Sequence, residues 1–196
     1  MNISKSDHNG FTLTEMLIVI VTLGIVLSAM YTFFSDSMNQ YVKLQNDGIA
    51  FSEVSEGSQR ISSVLRGITQ IADAQAESLT MYAYFSPNDA HESLIKYYLN
   101  NDKTKLLADV IPCSDNYPNC TVTGLTPNVV TIINEFYKTS SPIFAYYNAD
   151  NTQVAAGDYN TIKNIETTLA VKPNASNQDP TIVTNYINLR NKKTNL

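Results

Sequence analysis

The sequence predicts an α+β protein, with one long N-terminal helix followed by an antiparallel β-sheet. Three observations predict it. Residues 11–34 form an apolar run in which Glu15 is the only charged side chain. Apolar residues then recur at intervals of mostly three to five as far as Ile71, the period of an amphipathic helix. After Ala76 the pattern changes to short, alternating, aromatic-rich segments, the period of strands.

Residues 1–10 read as a polar leader without structural signal, in which Lys5 is nearly cancelled by Asp7. The apolar run that follows is about 24 residues, or about 36 Å as a helix. That is enough to cross a hydrocarbon core of about 30 Å. Gly24 lies in its middle and weakens a helix in water by up to about 1 kcal/mol relative to alanine, although glycine is common in membrane helices. The amphipathic continuation carries Phe34, Met38, Tyr41, Ile49, Val54, Ile61, Val64 and Ile68 on its apolar face. Charged Asp36, Lys43, Asp47, Glu53, Glu56, Arg60 and Arg66 fall largely between them, with an irregular patch near residues 45–48.

Strand signals follow at residues 79–85 and in a hairpin of residues 95–99 and 104–110 around a polar turn at 100–103. Further strands are expected at 143–147, 165–171 and 182–189, with a turn at 148–151, a polar loop at 173–180 and a frayed tail at 191–196.

Glu15 is the anomaly. A carboxylate in hydrocarbon costs at least about 2.5–3.5 kcal/mol, and its presence marks a functional site with a partner. A cation is the expected partner, and the sequence offers none between Glu15 and Lys43. Scission between Gly10 and Phe11 would create one, the α-amine of Phe11. That amine could pair with Glu15 of its own helix at i and i+4, or with Glu15 of a neighbouring chain.

Gly10-Phe11-Thr12-Leu13-Thr14-Glu15, followed by the apolar run, resembles the class III signal of type IV pilins and type II secretion pseudopilins. The resemblance implies a prepilin peptidase and methylase that cuts after Gly10 and methylates Phe11. It implies a role for Glu15 in registering subunits, with the apolar faces around Leu17, Ile20, Leu23 and Leu27 supplying helix-packing area. Gly24 would be a softening point in that helix. The implied fold is pilin-type: leader 1–10, transmembrane and filament-core helix 11–35, and head 36–196 that includes the amphipathic half of the helix. The implied partners are other pilin or pseudopilin subunits, an inner-membrane assembly platform, and membrane lipid before assembly. The implied location is single-pass in the cell membrane with the head exported, then a filament. Later phrases, Phe144-Ala145-Tyr146-Tyr147 and the closing Leu189-Arg190-Asn191, are similar to minor pilins and the larger minor pseudopilins. A secretory signal peptide cut near Ser28-Ala29 would leave the acid inside an over-long apolar core, and an uncleaved anchor would leave Glu15 unexplained.

Removing leader and anchor leaves about 160 residues, enough for one globular domain with its own core. The net charge of −5 argues against broad nucleic-acid binding, which needs lysine and arginine to displace counterions. The short basic patch Arg190-Asn191-Lys192-Lys193 reads as a solvated tail. Cys113 and Cys120 are a close pair and read as a disulfide in an exported domain. The alternative, a metal or redox pair, has too wide a spacing for Cys-x-x-Cys and too few histidines to complete a zinc site.

No catalytic set is expected. His91, between Asp89-Ala90 and Glu92, reads as a solvated turn residue, whereas catalysis needs a buried, oriented base. Asn148, Asp150 and Thr152 alternate as oxygen ligands do in calcium loops, but glycine and the distal acid are missing and the composition is that of an ordinary turn. The sequence therefore predicts a structural subunit, a minor pilin, without enzyme activity, metal or cofactor. The alternatives are a pseudopilin of type II secretion or a DNA-uptake machine, and a membrane-anchored binding or hydrolytic domain that never polymerises.

Overall fold

The computed structural model describes residues 11–122, 124–154, 158–172 and 179–189. Gly10 and the rest of the leader, most of the 173–180 loop, and the tail with its basic patch lie outside the described residues. The chain forms two compact units, Met1–Gln45 and Asn46–Leu196.

Helix α1, Leu13–Arg66, opens the fold. It is helical through residues 45–48, where the sequence suggests an irregular patch. It also stops earlier than the apolar stripe suggests. Gly67 N–H donates to Val64 O at 3.0 Å and Ile68 N–H to Leu65 O at 3.3 Å, the tight i to i−3 bonds that close a helix end. Ile68 and Ile71 are buried, Ile71 within a strand.

In the first unit the apolar side chains of α1 are exposed, with Leu17, Ile20, Leu23 and Leu27 each more than half accessible. The helix is long and apolar enough to cross a membrane, and none of its most apolar window is buried. Two hydroxyls in the run are satisfied by the helix itself. Thr22 Oγ1 donates to Ile18 O at 2.9 Å, and Thr32 Oγ1 to Ala29 O at 2.9 Å. Lipid can therefore surround them without leaving a bare donor.

The second unit holds two antiparallel sheets where the sequence suggests one. Strands β1 (Gln70–Ala74), β2 (Leu79–Ala83), β3 (Ser93–Leu99), β4 (Leu106–Pro112) and β5 (Asn128–Ile133) form the first, in chain order. Strands β6 (Phe144–Tyr147), β7 (Asn164–Val171) and β8 (Thr181–Asn188) form the second, also in chain order. Strands β1 and β5 are additions to the sequence reading. The β3–β4 turn is longer than expected because Asn100 Oδ1 accepts from Thr104 N–H at 2.8 Å and Lys105 N–H at 2.9 Å. Those bonds hold the chain out of the ladder until Leu106.

One core joins both sheets to α1. Val54, Ile61 and Leu65 are fully buried with Leu79, Met81, Ile95, Tyr97, Leu106, Ile165 and Leu169, each large aliphatic contributing about 1.5–3 kcal/mol by leaving water. Here α1 lies between two strands. On one flank Gly57 meets Ile133 of β5, and Glu53 Oε1 accepts from Asn134 N–H at 2.7 Å. On the other flank Asn185 of β8 donates to Ser58 Oγ at 2.6 Å and Ser62 Oγ at 3.1 Å.

Gly57 sets the approach of β5. A Cβ there would stand 2.9 Å from Ile133 Cγ1 and 3.4 Å from Ile132 O, and Ile133 is itself buried. Gly57→Ala should therefore destabilise the protein by about 1–3 kcal/mol, read as a lower thermal midpoint of the detergent-solubilised full chain. Combining it with Ile133→Ala should cost less than the sum of the two changes, because the first clash is then partly relieved.

Candidate functional site

The start of α1 is a closed ring of hydrogen bonds. Thr12 precedes the first helical residue, Leu13, in the N-cap position. Glu15 N–H donates to Thr12 Oγ1 at 3.3 Å. In return Thr12 N–H donates to Glu15 Oε2 at 3.0 Å, and Thr12 Oγ1 approaches the same oxygen at 3.0 Å. Thr12 Oγ1 also lies 3.1 Å from Thr14 Oγ1. This is a capping box, in which the acid at the third helical position reaches back to the cap's N–H while the cap side chain serves an unpaired N–H.

Within this chain the Glu15 carboxylate is engaged by the backbone and hydroxyl of Thr12. The signal was present in the sequence as Thr12-Leu13-Thr14-Glu15 before an apolar run, the Thr-x-x-Glu signature of a helix start. A negative group here also meets the positive end of the helix dipole. Phe11, next to the box, is largely exposed. Leu17, Ile20, Leu23 and Leu27 follow on one side of the helix, with their side chains open.

The cysteine pair is a disulfide. Cys113 and Cys120 are bonded with Cα atoms 5.0 Å apart. The loop they close is fastened by Glu92, which in the sequence stands out only as a neighbour of His91. Glu92 is 5% exposed. Its Oε1 accepts from the Thr69 hydroxyl at 2.5 Å and its Oε2 from Tyr117 N–H at 3.0 Å. Its own N–H donates to Asn116 Oδ1 at 3.0 Å, and its carbonyl accepts from Cys113 N–H at 3.0 Å. The Tyr82 and Tyr117 rings pack at a tilt of 39° with centroids 5.0 Å apart. A buried carboxylate is tolerated when donors surround it, and here the donors come from the loop and from just beyond the end of α1. Nothing in the local sequence separates this Glu92 from a solvated turn acid; the distinction arises from residues 23 and 25 positions away.

His91 is exposed, in keeping with a turn residue. Asn148 Oδ1 accepts from Asp150 N–H at 3.0 Å and Thr152 N–H at 2.8 Å, so this oxygen closes a turn. Asn151 there takes the left-handed conformation at φ 57°. Among the described residues no three of His, Cys, Asp and Glu gather as a metal site.

The loop's fastening is testable. Glu92→Ala removes the acceptor of the Thr69 hydroxyl and of Tyr117 N–H, a loss of about 1–3 kcal/mol where such donors stay buried. Replacing either cysteine should lower stability by up to about 2–3 kcal/mol. Both effects are read as shifts of the unfolding midpoint of oxidised protein. The double change should lose less than the sum, because both act on one loop.

Residues 5–31 match the family model described as the prokaryotic N-terminal methylation motif. No curated protein matches the chain. The matched span contains Gly10, Phe11, the Thr12–Glu15 box and the apolar run. It joins a motif of that kind to a long helix packed on antiparallel sheets.

Proposed function

We propose that this chain is a minor pilin, a structural subunit added to a type IV pilus or related filament through its N-terminal helix. The observation that carries the reading is a carboxylate at the mouth of a membrane-length helix, one turn from a site where cleavage would free an amine. The proposed organisation is a leader of residues 1–10, a spine helix of 11–35 and a head of 36–196. The proposed partners are the prepilin peptidase and methylase, other pilin or pseudopilin subunits, the assembly platform and lipid.

The box suggests how the acid is carried before assembly. Its oxygen accepts from Thr12 N–H and hydroxyl, which lowers the cost of bringing a carboxylate to the membrane edge. Cleavage after Gly10 would add the Phe11 ammonium beside Thr12, one turn from Glu15, and methylation would keep it charged. A neighbouring subunit's ammonium could then take up Glu15. Pairing between helices fixes their axial offset, because each acid must meet an amine. The faces around Leu17, Ile20, Leu23 and Leu27 would supply contact area. The phrases Phe144-Ala145-Tyr146-Tyr147 and Leu189-Arg190-Asn191 favour a minor over a bulk subunit. A pseudopilin role in type II secretion or DNA uptake uses the same helix chemistry. Finding the protein in sheared surface filaments, rather than only in the cell envelope, decides between them.

Two outcomes test the reading. The mature protein should begin at a methylated Phe11, seen by intact mass and N-terminal peptide analysis, and Gly10→Val should retain the leader. Retention of Met1 in the wild-type protein, or a start near Met30, would overturn the assignment. Glu15→Val should leave insertion and cleavage intact but abolish or strongly reduce the subunit's share in purified filaments, with Glu15→Asp intermediate. Normal incorporation of Glu15→Val would remove the pairing mechanism.

A further inference from the structure

We propose that the outer face of the second sheet binds a neutral sugar, a hexopyranose unit presented on a glycan. The proposal goes beyond the filament reading and does not depend on it. Strands β6, β7 and β8 turn Phe144, Tyr146, Ile165, Leu169 and Ile187 into the core. Alternation then sends Ala145, Tyr147, Glu166, Thr168, Thr184 and Tyr186 to the opposite face. The register sets Ala145, Glu166 and Tyr186 in one row across the three strands, with Thr168 beside Thr184 in the next.

The two tyrosines lean toward each other across β7. Their ring centroids are 5.8 Å apart with planes at 46°, although β7 separates their strands. Each ring is pinned by its hydroxyl. Tyr147 donates to Glu166 Oε2 at 2.9 Å, and Tyr186 to Asn151 Oδ1 at 2.5 Å. Asn151 also accepts from Asn164 Nδ2 at 3.3 Å, and Asn164 Oδ1 from Asn188 Nδ2 at 2.8 Å. A tyrosine has only two side-chain torsions, and these bonds hold them. Little ordering is left for a ligand to impose. Tyr186 nevertheless stays 53% exposed. Its polar tip is occupied while much of its apolar body faces water.

The charge and composition of the face select the ligand. Among the described residues, Glu166 is the one charged side chain on the outward positions of these strands. The adjoining turn adds a second acid, the exposed Asp150. Phosphate-bearing polymers need lysine and arginine, and the outward positions carry neither. A protein partner needs a buried apolar anchor, whereas beside the tyrosines this face offers Ala145, Thr168 and Thr184. A sugar matches what is present. Its C–H face is apolar and lies against an aromatic ring. Its hydroxyls donate, and an ionised carboxylate is an acceptor only. Glu166 Oε1 takes no hydrogen bond from the described residues, so it is open to a charge-assisted bond from a sugar hydroxyl. The Thr168 and Thr184 hydroxyls, 3.4 Å apart, donate or accept as the ligand requires.

The test uses the full-length chain in lauryldimethylamine oxide, because a glycoside detergent would compete for the site. The probes are the methyl glycosides of glucose, galactose, mannose and N-acetylglucosamine, with a heparin tetrasaccharide as the anionic comparison. Saturation-transfer NMR reads which sugar protons touch the protein. The expected result is transfer to the ring C–H protons of at least one neutral glycoside, with a dissociation constant of about 1 mM or weaker for so small a ligand. Tyr186→Ala should weaken binding about fivefold or more by removing the stacked ring, and Glu166→Gln about threefold or more by removing the charged acceptor. Thr184→Lys, at an exposed position, should block the row without lowering the thermal midpoint, so the test stands even where a truncation costs stability. Tyr84→Ala, in the segment after β2, should leave binding unchanged. No transfer to any of the four neutral glycosides overturns the proposal. So does transfer undiminished in Tyr186→Ala, Glu166→Gln or Thr184→Lys, or stronger binding of the heparin tetrasaccharide. None of these readouts requires a filament, so their failure leaves the filament reading where it stands.

Discussion

A helix that begins at a membrane edge arrives with backbone N–H groups that no neighbouring turn can satisfy, and hydrocarbon offers them nothing. Thr12 and Glu15 meet that constraint with a reciprocal pair of bonds. The arrangement links two requirements otherwise at odds. The helix end needs an acceptor, and the acid needs donors. Each is the other's partner within this chain. Downstream, Thr22 and Thr32 turn their hydroxyls back onto the helix, so the polar atoms of the run are largely consumed internally.

In the head the same helix changes its company from lipid to protein, and its composition changes with it. Small residues appear where strands come close. Gly57 admits Ile133, and Ser58 and Ser62 accept from Asn185. A larger side chain at any of these positions would push an edge strand away from α1. The packing that builds the core therefore also fixes how closely β5 and β8 approach α1.

The long helix, the strand order after Ala76 and the cysteine pair were legible because each rests on a local signal: an apolar period, an alternation, a close spacing. The capping box is legible as Thr12-x-x-Glu15, but a lone acid in an apolar run points equally to a cationic partner. Strand β1 was hidden because Ile68 and Ile71 continue the helical spacing, and only the bonds at Gly67 and Ile68 show where the helix closes. Strand β5 is six residues with one fully buried side chain, Ile133, so it lacks the alternation that marks the others. Glu92 could not be found from neighbours in sequence, because its burial is created by Thr69 and Tyr117 arriving from elsewhere. The division into two sheets depends on pairings across the whole head, which no local pattern encodes.

The disulfide loop is held to Glu92 through the backbone N–H groups of Tyr117 and Cys113 and one side chain, Asn116. Asp115 and Asn119 are exposed and make no hydrogen bond to Glu92 themselves, Asp115 Oδ1 accepting from Asn116 N–H at 2.7 Å. Over generations a lineage can rewrite those positions while the anchor stays where it is, since a backbone donor is common to every residue but proline. The outer surface of the loop is thus free to diversify at little expense to the fold, which makes it a place where related subunits can acquire different identities on the same frame.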